Sequence, residues 1–180
     1  GGYWQRGERE IYGFIAQAWT AAGLSVAIPS YDLCPSVRVG DITGQIRACL
    51  AMLWRHMGKR PIVTGHSAGG HLTAAMLAID WGGVDGVPAD LVQRGLALSG
   101  VFELSPLIPT SLNGALGLTP DEAARESVLD VPLPRSDVTL IAAVGGAESG
   151  EFLRQSRDCA ASWATKGART QVIKVPDANH

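Results

Sequence analysis

The sequence has no cluster of basic residues: 15 Lys and Arg stand against 17 Asp and Glu, for a net charge of -2. That excludes the electrostatic footprint of a nucleic-acid binder and a patch for anionic membranes. Long apolar runs are also missing, since the longest, Leu72 to Ile79, falls far short of the roughly 18 residues a membrane span needs. Cysteine is scarce. Cys34, Cys49 and Cys159 are odd in number, scattered and not at metal-ligand spacing, so they read as free thiols, buried as small apolar residues, in a reducing, cytoplasmic compartment. Repeats, heptads and low-complexity tracts are absent.

What is present is apolar material for one domain: 180 residues, 46% hydrophobic and 18% charged, enough for a two-faced core. Ile11, Phe14, Ile15, Ala18, Trp19 and Ala22 lie on one helical stripe, which Gly23 stops. Leu24 to Ile28 reads as a short strand ended by Pro29. Ile42, Ile46, Cys49, Leu50, Leu53 and Met57 mark a second helical stripe with Gly58 as its C-cap. Further strands are expected at Ile62 to Thr64, Gly95 to Ser99, Val138 to Val144 and Gln171 to Val175, and helices from Ser67 to about Ile79 and from Phe152 to Trp163. Thr119-Pro120-Asp121-Glu122 has the form of a capping box ahead of one short helix.

Short, apolar strands alternating with helices predict an α/β domain spanning residues 1–180, with a mainly parallel sheet and helices on both faces. The irregular, proline-rich stretch at about 101–136 reads as a cap-like insertion. It follows a strand end and is long for a plain connection, so it is expected to form one wall of a substrate pocket, with Leu107 and Leu112 as lining residues. Ligands bind at the carboxyl ends of the strands in such sheets.

One strand end carries the sharpest signal. The apolar run before it breaks into Gly65-His66-Ser67-Ala68-Gly69 and restarts at once as helix-compatible sequence. Gly-x-Ser-x-Gly on a strand-to-helix turn presents its serine in a strained backbone conformation, which requires nearly side-chain-free neighbours, here Gly65 and Gly69. Ser67 is therefore the candidate nucleophile. His66 ends the strand beside it and His71 lies one turn into the following helix, so packing or hydrogen-bonding roles suit both better than general-base catalysis. They are five apart with no Glu between them, which misses the i, i+4 ladder of a helical zinc site. His56, beside Lys59 and Arg60, reads as a solvated residue near a helix end. His180 remains, in a loop at the same sheet edge as Ser67.

A catalytic histidine needs a carboxylate to fix its tautomer. Glu148 is the first one past the strand Val138 to Val144, in a loop kept open by Gly145 and Gly146. Glu151 is the second choice, better suited to the first turn of the next helix, and Asp177 a third, only three residues from His180. For an oxyanion, the backbone N–H of Ala68 supplies one donor, and Gly1-Gly2-Tyr3 can supply others because glycines let the backbone approach closely. No metal and no cofactor is called for, and a homodimer is left open.

With these parts in place, the chain resembles the α/β-hydrolase superfamily, and within it the serine-dependent kynurenine formamidase (arylformamidase) branch near the hormone-sensitive-lipase-like esterases. The residues that carry the resemblance are Gly1-Gly2-Tyr3-Trp4, Tyr31 to Pro35, Gly65 to Leu72, Leu98 to Leu104, Thr110 to Asn113, Glu148 to Phe152 with Arg154 to Ser156, and Ala178-Asn179-His180. The resemblance implies an α/β-hydrolase fold, with Ser67 as nucleophile, His180 as base and Glu148 as acid where several relatives carry Asp. It implies cleavage of a small-molecule ester or amide through an acyl-enzyme, foremost N-formylkynurenine to kynurenine and formate. A broad carboxylesterase for short acyl or aryl esters and a non-catalytic ligand-binding relative are the alternatives. The family's histidine before the glycine pair is missing, and both termini look cut. The chain therefore reads as a partial hydrolase, expected to be aggregation-prone and essentially inactive if expressed alone.

Overall fold

The computed structural model describes all residues from Gly1 to His180. Four strands, β1 (Ile62–His66), β2 (Arg94–Leu98), β3 (Thr139–Gly145) and β4 (Arg169–Val175), form one sheet in the order β1-β2-β3-β4. Every neighbouring pair is parallel, with Ile62 beside Arg94, Arg94 beside Thr139 and Thr139 beside Arg169. All four carboxyl ends therefore lie along one edge.

The helices are α1 (Gly13–Ala21), α2 (Val39–Met57), α3 (Ala68–Ala78), α4 (Asn113–Leu116), α5 (Pro120–Glu126) and α6 (Gly150–Thr165). The second sequence stripe becomes α2. Its first turn is closed by the Asp41 carboxylate, which accepts the Arg38 N–H at 2.8 Å, and Gly58 ends it at φ +61° while donating to the Trp54 carbonyl. α3 is apolar nearly all round and runs through the core. Gly95 of β2 lets α3 settle onto the sheet, because a methyl there would come within 2.8 Å of both Thr73 and Leu77. α2 packs on α3, and α6 packs against β3 and β4. The α6 stripe is buried at Ser156, Cys159, Ala160 and Trp163.

Burial is uneven across the sheet. Ala97, Leu140 and Ala142 are buried, whereas Ile62, Leu98, Ile173 and Val175, on the face that alternates with them, are exposed. The apolar stripe of α1 is exposed as well, with Phe14 at 70%. Leu24 to Ile28 corrects the sequence reading: it is not a strand. Its apolar alternation predicts extended backbone, but a strand also needs a partner's ladder, and the free edge of β1 has none beside it.

The stretch at 101–136 folds into a 3-10 turn at Ser105–Leu107, then α4 and α5. Thr119 and Glu122 form the expected capping box at the start of α5. Its apolar residues, Phe102, Leu104, Leu116, Leu118, Ala123 and Val128, join the single core cluster alongside Trp4, Trp81 and Trp163. Gln155 of α6 clamps the start of the stretch by accepting the N–H groups of Phe102 and Glu103 at 2.7 and 2.8 Å. The three cysteines are unpaired, with Cys34 and Cys159 buried. No helix is long and apolar enough to cross a membrane.

Candidate active site

Ser67 stands between β1 and α3 with φ +58° and ψ -117°, a region that L residues with side chains rarely enter. Its N–H donates to the Leu98 carbonyl at 2.8 Å, and its own carbonyl accepts from Gly70 and His71 at 2.9 and 3.2 Å. The strand end and the helix start thus share one residue. Gly65 is obligatory, since a methyl there would collide with the Gly69 carbonyl. Gly69 is a correction: a methyl on it would meet nothing within 4 Å. The second crowded position is Gly70, where a methyl would lie 2.7 Å from the Gly100 Cα.

Two loops meet beside this turn. Gly146 N–H donates to the Val175 carbonyl at 2.7 Å and Ala147 N–H to the Ala178 carbonyl at 2.9 Å, joining the loop after β3 to the loop after β4. The junction brings Glu148 Oε2 to 2.8 Å from His180 Nδ1. Glu148 Oε1 accepts from Gly145 N–H at 2.7 Å and from Ser99 Oγ at 2.5 Å. Burial works against a charged Glu148, but the hydrogen bonds from Ser99, His180 and Gly145 outweigh it and hold its carboxyl below the ordinary value. An ionised carboxylate only accepts, so His180 Nδ1 carries the proton and Nε2 is left free.

The His180 ring packs against His66, centroid 4.5 Å away, and against Phe152, centroid 4.4 Å away. Burial, followed by the neighbouring His180, lowers the pKa of His66. Ser67 Oγ is buried and has no hydrogen-bond partner. The Glu148–His180 link is therefore formed here and the His180–Ser67 link is not. Such contacts are often long before substrate binds.

Glu151 sits in the first turn of α6 and is taken up by Arg154 and Gln155. Asp177 is exposed at φ +56° and makes no bond to His180. His71 is fully buried. Its Nε2 lies 2.7 Å from the Glu126 carbonyl, and burial, partly offset by that bond, lowers its pKa to about 4. His56 is exposed on the last turn of α2.

Gly1 lies against the end of β1, where a methyl would be 3.5 Å from His66 Nδ1 and 3.6 Å from the His66 carbonyl. Gly2, Tyr3 and Trp4 follow in a tight turn, all at positive φ, and Trp4 is anchored by its buried indole and by Cys34 N–H donating to its carbonyl at 2.9 Å. Tyr3 is raised in pKa by burial, then by the charge of Glu148. Ala68 opens α3, so its N–H is among those with no helical acceptor, at the positive end of the helix dipole. No three His, Cys, Asp or Glu side chains gather as a metal site.

The fold has counterparts among solved structures. Over 97% of the chain, the structure superposes on that of a candidate thioesterase from Silicibacter sp. with a TM-score of 0.84, at 33% identity and covering 64% of that protein. An esterase of the bacterial hormone-sensitive lipase family matches the whole chain with a TM-score of 0.78 at 22% identity, covering 65% of that protein. The fold is that of the α/β-hydrolase esterases. In sequence, the chain is similar to the kynurenine formamidase of Salmo salar, 30% identical over 188 residues. The kynurenine formamidase of Danio rerio is 28% identical over 189 residues. The chain spans 63% of the length of each of these two relatives. No family model matches it.

Sequence reasoning did not assign Ser99 or Phe152 to the site. Ser99 carried a signal that could have been read: a polar residue directly after an apolar strand, at the edge where Ser67, Glu148 and His180 were expected.

Proposed function

We propose that the protein is a serine hydrolase that cleaves a small amide or ester through an acyl-enzyme, with N-formylkynurenine as substrate. The observation that carries this reading is the 2.8 Å bond between His180 Nδ1 and a buried Glu148 carboxylate, at the same sheet edge as a serine in a strained strand-to-helix turn. Similarity to kynurenine formamidases supports the choice of substrate.

In this mechanism Ser67 Oγ attacks the formyl carbon while His180 Nε2 takes the hydroxyl proton. Glu148 remains ionised and stabilises the imidazolium, with its proton on Nδ1. The tetrahedral oxyanion is held by the Ala68 N–H and by the N–H groups of the Gly1-Gly2-Tyr3 turn. Collapse breaks the C–N bond, and His180 returns its proton to the aniline nitrogen of kynurenine. Water then enters, gives a proton to His180 and attacks the formyl-Ser67 ester. Formate leaves as Ser67 recovers its proton.

The test is turnover of N-formylkynurenine against p-nitrophenyl acetate by the full-length enzyme, compared as kcat/KM. The reading expects preference for the formamide. Clear preference for the ester replaces it with a carboxylesterase.

A further inference from the structure

Three donors surround the Glu148 carboxylate, and one belongs to a side chain outside the triad. Ser99 follows the last residue of β2 and is buried. Its N–H donates to the Ala143 carbonyl at 2.7 Å, which docks this residue onto β3. Its Oγ lies 2.5 Å from Glu148 Oε1, and because the carboxylate accepts, the hydroxyl donates. The Gly145 N–H fills the rest of Oε1, and His180 takes Oε2.

The backbone of Ser99 adds an independent observation. It sits at φ +49°, a left-handed conformation that glycine adopts freely and serine does not. A side chain kept at such a position is explained by what its hydroxyl does. The last torsion of a glutamate side chain is broad and roughly two-fold, so one bond to His180 leaves the carboxylate able to rotate. Pinning Oε1 separately from Oε2 removes that freedom.

We propose that Ser99 is a positioning residue of the triad, its hydroxyl fixing Oε1 of Glu148 so that Oε2 stays turned toward His180 Nδ1. The proposal rests on the reading of Ser67, Glu148 and His180 as a hydrolytic triad given above.

The experiment uses the full-length enzyme with Ser99→Gly, which accepts the positive φ without strain while losing the hydroxyl, and Ser99→Cys, which keeps a weak donor. Rates are measured per active site titrated with a fluorophosphonate, so misfolded protein does not count. Ser99→Gly should lose roughly 10- to 100-fold in kcat, in the range of other residues that orient a functional ligand, with KM unchanged. Ser99→Cys should fall between it and the wild type. The acid limb of kcat/KM should move to higher pH in both variants, because the Glu148–His180 pair takes up a proton more readily once a donor offsetting its negative charge is gone. A role confined to folding would lower yield and stability and leave the titrated rate and the pH limb in place. An unchanged rate and pH limb in Ser99→Gly, or in Ser99→Cys if the glycine variant yields no soluble protein, overturns the proposal while the triad stands. A wild-type enzyme that neither reacts with fluorophosphonate nor turns over either substrate overturns the triad reading itself, and the role of Ser99 with it.

Discussion

Glu148 and His180, 32 residues apart in sequence, meet at 2.8 Å through Oε2 and Nδ1, with the Glu148 side chain 1% exposed and the His180 side chain 32% exposed. The carboxylate is sealed inside the fold and the imidazole that bonds it is partly open to solvent. In the full-length enzyme, Ser67→Ala and His180→Ala should each cost roughly 10³- to 10⁶-fold in kcat, and the double variant little more, because the residues act as a unit. Glu148→Gln should cost less than either. Glu151→Gln should be near neutral, since Glu151 is bound to Arg154 and Gln155. A damaging Glu151→Gln beside a neutral Glu148→Gln would reassign the acid.

The glycines of the turn should separate sharply by substitution. Gly65→Ala drives a methyl into the Gly69 carbonyl, and Gly70→Ala drives one into the Gly100 backbone. Each should lower stability by about 1–3 kcal/mol, the usual range for overpacking, with activity falling further as the elbow shifts. Gly69→Ala has open space and should fold with wild-type stability. Urea midpoints for the three variants read this directly, and a strongly destabilised Gly69→Ala would show that the turn is packed differently.

His71 should make stability depend on pH. Its pKa is about 4 in the folded state against 6.5 for an unperturbed histidine, so its neutral form is the one the fold holds. Above pH 6.5 both states are neutral and this contribution is complete. As the pH falls through the window from 6.5 to about 4, the unfolded chain takes up a proton that the native state refuses, and stability is lost. The loss should be about 2 kcal/mol between pH 7 and pH 5. His71→Gln, which keeps a donor for the Glu126 carbonyl, should remove that part of the slope. Identical pH slopes for the two proteins would mean that His71 is protonated inside the fold.

The stretch at 101–136 touches the proposed oxyanion turn through Gln5, whose Nε2 donates to the Leu112 carbonyl at 3.0 Å. Leu112 is half-buried there, whereas Leu107 belongs to the core cluster, so only the former is suited to line a pocket. Leu112→Trp should change the relative rates for acetyl, butyryl and hexanoyl p-nitrophenyl esters more than it changes the thermal midpoint. Unchanged selectivity would place the acyl wall elsewhere.

What was legible in the sequence follows the range of the forces involved. Strand, turn and helix around Ser67 are set by neighbouring residues, as are the α5 capping box and the Gly58 cap of α2, and each was readable locally. That Ser67, Glu148 and His180 would follow strand ends on one edge was readable because all four strands are parallel. Ser99 escaped because its partner is set by how β2 pairs with β3, which no local pattern encodes. The strand expected at Leu24 to Ile28 failed for a related reason, since pattern specifies an extended chain and only a neighbour makes it a strand. Gly69 was misjudged because crowding at the turn is set by what packs across it: the Gly69 carbonyl faces Gly65, and the Gly100 backbone beyond β2 faces Gly70.

The central claim is that Ser67 is a nucleophile activated by His180. Intact-mass analysis after brief exposure to a fluorophosphonate, on full-length wild type, Ser67→Ala and His180→Ala, tests it most directly. The account predicts one adduct per wild-type chain, mapped to Ser67, none on Ser67→Ala, and a labelling rate for His180→Ala lowered by orders of magnitude. A folded wild type that stays unlabelled, or a Ser67→Ala variant labelled as fully as the wild type, would contradict it.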